Sequence, residues 1–247
     1  GVAVLNGVVM IAAIRALRLP DDVIGEPIGG FLRLPMPSPR ADAPDSALTF
    51  APQPVEAPGA IDATVLPPGD EGAPVVALDL GTKVRILGAE PVELALPAGD
   101  GEAAASGGTR LLALDWNNDK RMDLAACGSG GLLLYRAEAS GYADATAASG
   151  LDPAARTMAC TGAWAVDIEL DGDLDLVLGR GDGQAALLRN NGDGSWLAAD
   201  PLDLSGLRDL AWADLDSDGD ADLAGLAGGR LAVLDNTRNG GYARKDL

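Results

Sequence analysis

From about residue 73 onward, short apolar runs alternate with Gly- and Asp-rich turns at regular intervals. That alternation predicts strands joined by tight turns, and so an all-β domain over residues 73–247. Two earlier regions have different patterns. Residues 1–19 are apolar from Val2 to Ile14, followed by Arg15 and Arg18. They predict a short helix packed on a partner or on the domain. The second reading is a truncated anchor, because the uninterrupted apolar part falls short of the roughly 20 residues a membrane span needs. A basic start and a small-residue cleavage site are missing, so this is not a complete signal peptide. Residues 20–72 are rich in Pro, Ala, Gly and Asp, as in Leu34-Pro-Met-Pro-Ser-Pro-Arg40 and Leu66-Pro-Pro-Gly-Asp70. They predict an extended linker or an irregular wrap.

Within the β region the pattern repeats. Three segments align, opening their turns at Asp115, Asp167 and Asp214, which are 52 and 47 residues apart. Oxygen side chains fall at positions 1, 3, 5 and 9 of each turn. They are Asp115, Asn117, Asp119 and Asp123; then Asp167, Glu169, Asp171 and Asp175; then Asp214, Asp216, Asp218 and Asp222. A hairpin turn needs one Asp, not four at alternate positions. Alternate residues of a tight loop point inward, which suits calcium, a hard cation taking about six to eight oxygens. Position 7 ordinarily offers its backbone carbonyl, so its side chain is free to vary: Arg121, Asp173 and Asp220. Gly172 and Gly219 supply the sharp turn at position 6, and Lys120 departs from that rule.

An EF-hand opens in the same way but needs Glu at position 12 and flanking helices. Position 12 here is Ala126, Leu178 and Gly225, and the flanks read as strands. Each loop is followed by two apolar strands, the second of them Gly131–Arg136, Gly183–Asn190 and Gly229–Asn236, and then by an aromatic: Tyr142, Trp196 or Tyr242. The repeated unit is therefore a whole four-stranded sheet containing a metal loop. A fourth, degenerate repeat is assigned to Val75–Leu87, with Asp79 at the start of a lost loop.

These segments resemble FG-GAP/VCBS-type repeats, the calcium-loop blades of integrin α-subunit-like propellers. The resemblance implies a β-propeller, or a partial one, whose calcium ions stiffen loops on one face, with up to three structural ions held by the positions above. Four repeats are fewer than such propellers use to close, which suggests either an open arc completed by a partner or a piece of something longer.

Composition narrows the function. The chain has 247 residues and a net charge of −19. That argues against nucleic acid as partner, since phosphate binding needs clustered Lys and Arg. Three divalent ions would bring the charge to −13. The absence of histidine removes the commonest general base and every Ser-His-Asp arrangement. Cys127 and Cys160 lack CxxC spacing. Adjacent blades could join them in a disulfide, and two buried thiols are the other reading. Trp164 and Trp212 read as blade packing. Trp116 points away from the metal, towards a neighbouring blade or a partner. Arg180-Gly181-Asp182 matches an adhesive tripeptide, with a plain turn as the simpler reading.

The first expectation for function is a non-enzymatic, calcium-stabilised interaction or scaffold module, extracellular, periplasmic or on the cell surface, binding a protein or glycan. The alternative is an accessory subunit of a larger membrane or envelope complex, docked through residues 1–19. A propeller-type hydrolase or lyase comes third, because the sequence offers no candidate catalytic set.

Overall fold

The computed structural model describes residues 57–67, 74–88, 90–97, 110–151, 153–180, 183–238 and 241–245. The expectations for residues 1–19, for most of 20–72 and for Gly181 and Asp182 lie outside them. The described chain is nearly all β. It forms four four-stranded antiparallel sheets, each a simple meander. The first contains β1 (Asp62–Leu66), β2 (Val75–Asp79), β3 (Lys83–Leu87) and β4 (Val92–Ala95). The second contains β5 (Leu111–Leu114), β6 (Asp123–Gly128), β7 (Gly131–Glu138) and β8 (Gly141–Asp144). The third contains β9 (Gly162–Val166), β10 (Asp175–Gly179), β11 (Ala186–Asn190) and β12 (Trp196–Ala198). The fourth contains β13 (Leu207–Ala213), β14 (Asp222–Ala227), β15 (Arg230–Asn236) and β16 (Tyr242–Lys245). A one-turn helix, α1 (Pro153–Thr157), precedes the third sheet and was not foreseen.

The first strands β1, β5, β9 and β13 neighbour one another in sequence order. That is the arrangement of propeller blades set side by side, and the described residues form four blades of a partial β-propeller. The apolar core lies in three layers between successive blades. Leu66, Val84 and Ile86 meet Leu111, Leu124 and Tyr135 between blades one and two. Leu112, Leu134 and Trp116 meet Leu176, Leu188 and Trp196 between blades two and three. Trp164, Val166 and Val177 meet Leu207, Leu223 and Leu234 between blades three and four. Side chains alternate along a strand, so the second strand of an inner blade feeds a layer on each face. This is why β6 and β10 are buried at every position and read as unbroken apolar runs.

The structure corrects two sequence assignments. The segment Ile61–Leu66, placed in the Pro-rich wrap, contains the first strand of blade one. Its five apolar or β-branched residues, interrupted only by Asp62, are flanked by Pro58, Pro67 and Pro68, whose composition dominated the window. The degenerate repeat was also placed one strand out of register. Val75–Asp79 is the second strand of its blade, paired with β1, and not the strand that enters a metal loop. Counted from Leu66, the loop position of blade one is Pro67 to Val75, as long as the other three but with Pro67, Gly69, Glu71 and Val75 at positions 1, 3, 5 and 9.

Cys127 at the end of β6 and Cys160 before β9 form a disulfide, with Cα atoms 5.7 Å apart. It ties blade two to blade three across a sequence separation of 33 residues. Closing a loop of that length removes denatured-state entropy equivalent to about 3–4 kcal/mol. The Cys127→Ala/Cys160→Ala variant should lose stability of that order in urea unfolding; an unchanged midpoint would show that the bridge contributes nothing.

Candidate metal centre

The three Asp loops fold alike, each connecting the first strand of its blade to the second. In every loop the backbone N–H groups of positions 5 and 6 donate to the two carboxylate oxygens of position 1. The pairs are Asp119 and Lys120 onto Asp115 (3.1 and 2.8 Å), Asp171 and Gly172 onto Asp167 (both 3.1 Å), and Asp218 and Gly219 onto Asp214 (both 3.1 Å). The N–H of position 7 donates to the position 5 carboxylate: Arg121 to Asp119, Asp173 to Asp171 and Asp220 to Asp218, at 2.9, 2.9 and 3.0 Å. These bonds wind all three loops in the same way. Positions 4 and 6 take positive φ throughout: Asn118 and Lys120, Leu170 and Gly172, Ser217 and Gly219. Lys120 keeps the loop at φ 66° despite its Cβ. The left-handed region costs an L-residue about 1 kcal/mol or more. Lys120→Gly should therefore raise the unfolding midpoint slightly, and a lower midpoint would refute this account of the loop.

Position 9 plays a different part from the others. Asp123, Asp175 and Asp222 open the second strands and are fully buried. Each receives an N–H from the end of the third strand of its blade: Ala137 (2.7 Å), Asn190 (2.9 Å) and Asn236 (2.9 Å). Asp175 and Asp222 also accept the N–H of position 2 of their own loops, Ile168 (3.0 Å) and Leu215 (2.8 Å). The Oδ2 atom of Asp123 is buried without a hydrogen bond of normal geometry. Burial pushes the Asp123 carboxyl up to about 7 and the Asp175 carboxyl up to about 6, against their backbone hydrogen bonds and with help from the other acids of each loop. A cation at the mouth would reverse that pressure and hold the carboxylates ionised.

The loops differ in how closely their acids converge. One oxygen each from Asp214, Asp216 and Asp218 lies within 4.8 Å of the others, and the same holds for Asp216, Asp222 and Asp235. Among the described residues the other two loops show no such triple. In loop two the Glu169 carboxylate is drawn into an ion pair with Arg189. The position 7 side chains turn outward: Asp220 pairs with Arg238, Asp173 accepts from Asn118 of the neighbouring loop (2.7 Å), and Arg121 lies 3.8 Å from Asp119. The donor set is hard oxygen throughout and fits a calcium ion, with loop three the most nearly assembled.

Several contributors were not foreseen. Asp235 on β15 joins the third cluster, where Lys245 Nζ sits 2.7 Å from it and 3.4 Å from Asp216. Tyr142 and Tyr242, foreseen only as recurring aromatics, donate their hydroxyls to the position 8 carbonyls of Met122 (3.1 Å) and Ala221 (3.3 Å). Asn190 and Asn236 join blades. Each donates its side-chain amide to the position 2 carbonyl of the preceding blade's loop: Asn190 to Trp116 (2.9 Å) and Asn236 to Ile168 (3.3 Å). The recurrence of Asn as the last residue of the third strand was the available signal. Of the tryptophans, Trp116 is 2 % exposed in the layer between blades two and three, and Trp212 donates to the Ala165 carbonyl at 3.0 Å. Both are packing residues.

A model of the FG-GAP-like repeat matches residues 115–178 and again residues 167–225. Each match opens on the first Asp of a loop and runs into the second strand of the next blade. A search of curated proteins finds no match. The repeated loop, the four-stranded blade around it and the two adjacent matches agree: residues 115–225 are FG-GAP-type repeats.

Proposed function

We propose that this chain is a calcium-stabilised, non-enzymatic interaction module that works outside the reducing cytoplasm and binds a protein or glycan partner. The observation that carries the calcium reading is the convergence of Asp214, Asp216 and Asp218 in a loop whose hydrogen bonding recurs at Asp115 and Asp167. FG-GAP-type repeats form propeller blades that generally mediate interactions. The Cys127–Cys160 disulfide favours an oxidising compartment, where calcium is also plentiful. Among the described residues no helix is long and apolar enough to cross a membrane. The net charge of −19 disfavours a nucleic acid partner.

Calcium would be held by positions 1, 3, 5 and 9 and the position 7 carbonyl of each loop, and its role would be structural. In each loop the position 1 carboxylate already holds the backbone of position 5. Calcium titration calorimetry tests this reading. Two to three sites should appear, and Asp214→Asn/Asp216→Asn should remove one of them. The absence of any binding heat in millimolar calcium would sink the proposal.

A further inference from the structure

Position 2 of each loop stands between two ligand positions, 1 and 3, so whatever fixes its backbone also sets where those side chains point. In loop two it is fixed at both ends. The Ile168 N–H donates to Asp175 of its own blade (3.0 Å), and the Ile168 carbonyl accepts the Asn236 amide of blade four (3.3 Å). Asn236 is itself held: its N–H donates to Asp222, position 9 of loop three (2.9 Å), and its Oδ1 accepts the Arg238 N–H (3.1 Å). One oxygen of Asp222 also converges with oxygens of Asp216 and Asp235, so this carboxylate reaches the acids of loop three. A continuous run of hydrogen bonds thus leads from the third loop to the second, through Asp222, Asn236, Ile168 and Asp175.

The run continues one blade further. Asp175 accepts the Asn190 N–H (2.9 Å), and the Asn190 amide donates to the Trp116 carbonyl at position 2 of loop one (2.9 Å). The Asn190 Oδ1 accepts the Gly192 N–H (3.0 Å). Both Asn side chains are buried and bonded at each end, so neither is free to turn away. Blade two offers the contrast. Ala137 holds the same place there, with its N–H on Asp123 (2.7 Å). The blade before it keeps, of loop positions 1, 3, 5 and 9, an acid only at Glu71. The side-chain amide is present where the preceding loop is acidic and absent where it is not. Packing blade on blade does not by itself call for it.

We propose that Asn236 and Asn190 couple neighbouring calcium sites, so that occupation of one loop raises the affinity of the loop before it. The inference rests on the calcium reading and deepens it by assigning these two residues a positioning role between sites. With loop three occupied, Asp222 is fixed, Asn236 is fixed by Asp222, and Ile168 by Asn236. Part of the ordering that loop two needs is then already in place, which makes the coupling favourable. Linkage makes it reciprocal. The sites fill in the order three, two, one.

The test titrates calcium into the full isotope-labelled chain while the backbone amide signals of Gly172 in loop two and Gly219 in loop three are followed. Loops two and three are the pair to use, because loops one and two also share the bond from Asn118 to Asp173. Disabling loop three with Asp214→Asn/Asp216→Asn should raise the dissociation constant read at Gly172 by about fivefold or more. Disabling loop two with Asp167→Asn/Asp171→Asn should raise the constant read at Gly219 by the same factor. With Asn236→Ala added, Gly172 should no longer respond to the loss of loop three, whereas Asn190→Ala should keep the full response. A merely structural Asn236 would weaken loop two and leave that factor unchanged, and this result overturns the proposal. So does a chain with both Asn residues intact in which each loop titrates alike whether or not the other is disabled, a comparison that decides even if Asn236→Ala does not fold. Amide signals that never move with calcium would sink the calcium reading and this inference together; sites that fill independently would sink this inference alone.

Discussion

Replacing Arg110 with alanine is expected to cost about 3–5 kcal/mol, because it strands a buried carboxylate. Arg110 precedes β5, and its guanidinium lies 3.0 Å from the Asp79 carboxylate at the end of β2, with side-chain exposures of 6 % and 0 %. Its Nε also donates to the Cys127 carbonyl at 3.3 Å. One side chain thus joins blade one to the first two strands of blade two. Asp79 uses its other oxygen to accept the Gly81 N–H at 2.6 Å, so it keeps one hydrogen bond when the cation is gone. Urea unfolding of Arg110→Ala should show the loss. The apolar pair Arg110→Met/Asp79→Leu should recover most of it, since removing both charges removes the penalty. A single variant as stable as the parent would mean that water reaches Asp79 and that the pair is not structural.

The second large effect concerns calcium. Each loop carries three or four carboxylates at positions 1, 3, 5 and 9, which repel one another, and the first of them is held by backbone N–H groups. An ion binding only the folded loop stabilises it by about 2.7 kcal/mol when present at a hundred times its dissociation constant. Up to three loops give a sum larger than any single side-chain change proposed here. The gain should be spread unevenly. Loop three brings Asp214, Asp216 and Asp218 together. Loop two must release Glu169 from Arg189, and loop one carries the neutral Asn117 and the constrained Lys120. Calcium should therefore fill loop three at the lowest concentration.

The regions legible in the sequence were those in which side-chain chemistry and chain geometry repeat together. The Asp loops at 115, 167 and 214 carried their own spacing, and the strands after them were bounded by Gly131, Gly183 and Gly229, close to where β7, β11 and β15 begin. Blade one was misread because its loop segment kept its length but, of positions 1, 3, 5 and 9, an acid only at position 5, Glu71, leaving Asp79 as the Asp that directly follows an apolar run. That Asp closes a second strand and answers Arg110, a partner 31 residues away that no local pattern reveals. Asp235 and the amides of Asn190 and Asn236 act across strands or blades, so their roles follow from the sheet register. Position 9 was foreseen as a ligand, but its burial and its backbone partners came from the packing of the third strand.

The most direct test of the central claim is a count of bound metal on the purified chain, taken with thermal melts in millimolar calcium and in chelator. The account predicts two to three calcium ions per chain and a midpoint higher in calcium by about 5–10 °C for each saturated site. No bound metal and coincident melts would mean that the Asp loops are turns held by their own hydrogen bonds, and would contradict it.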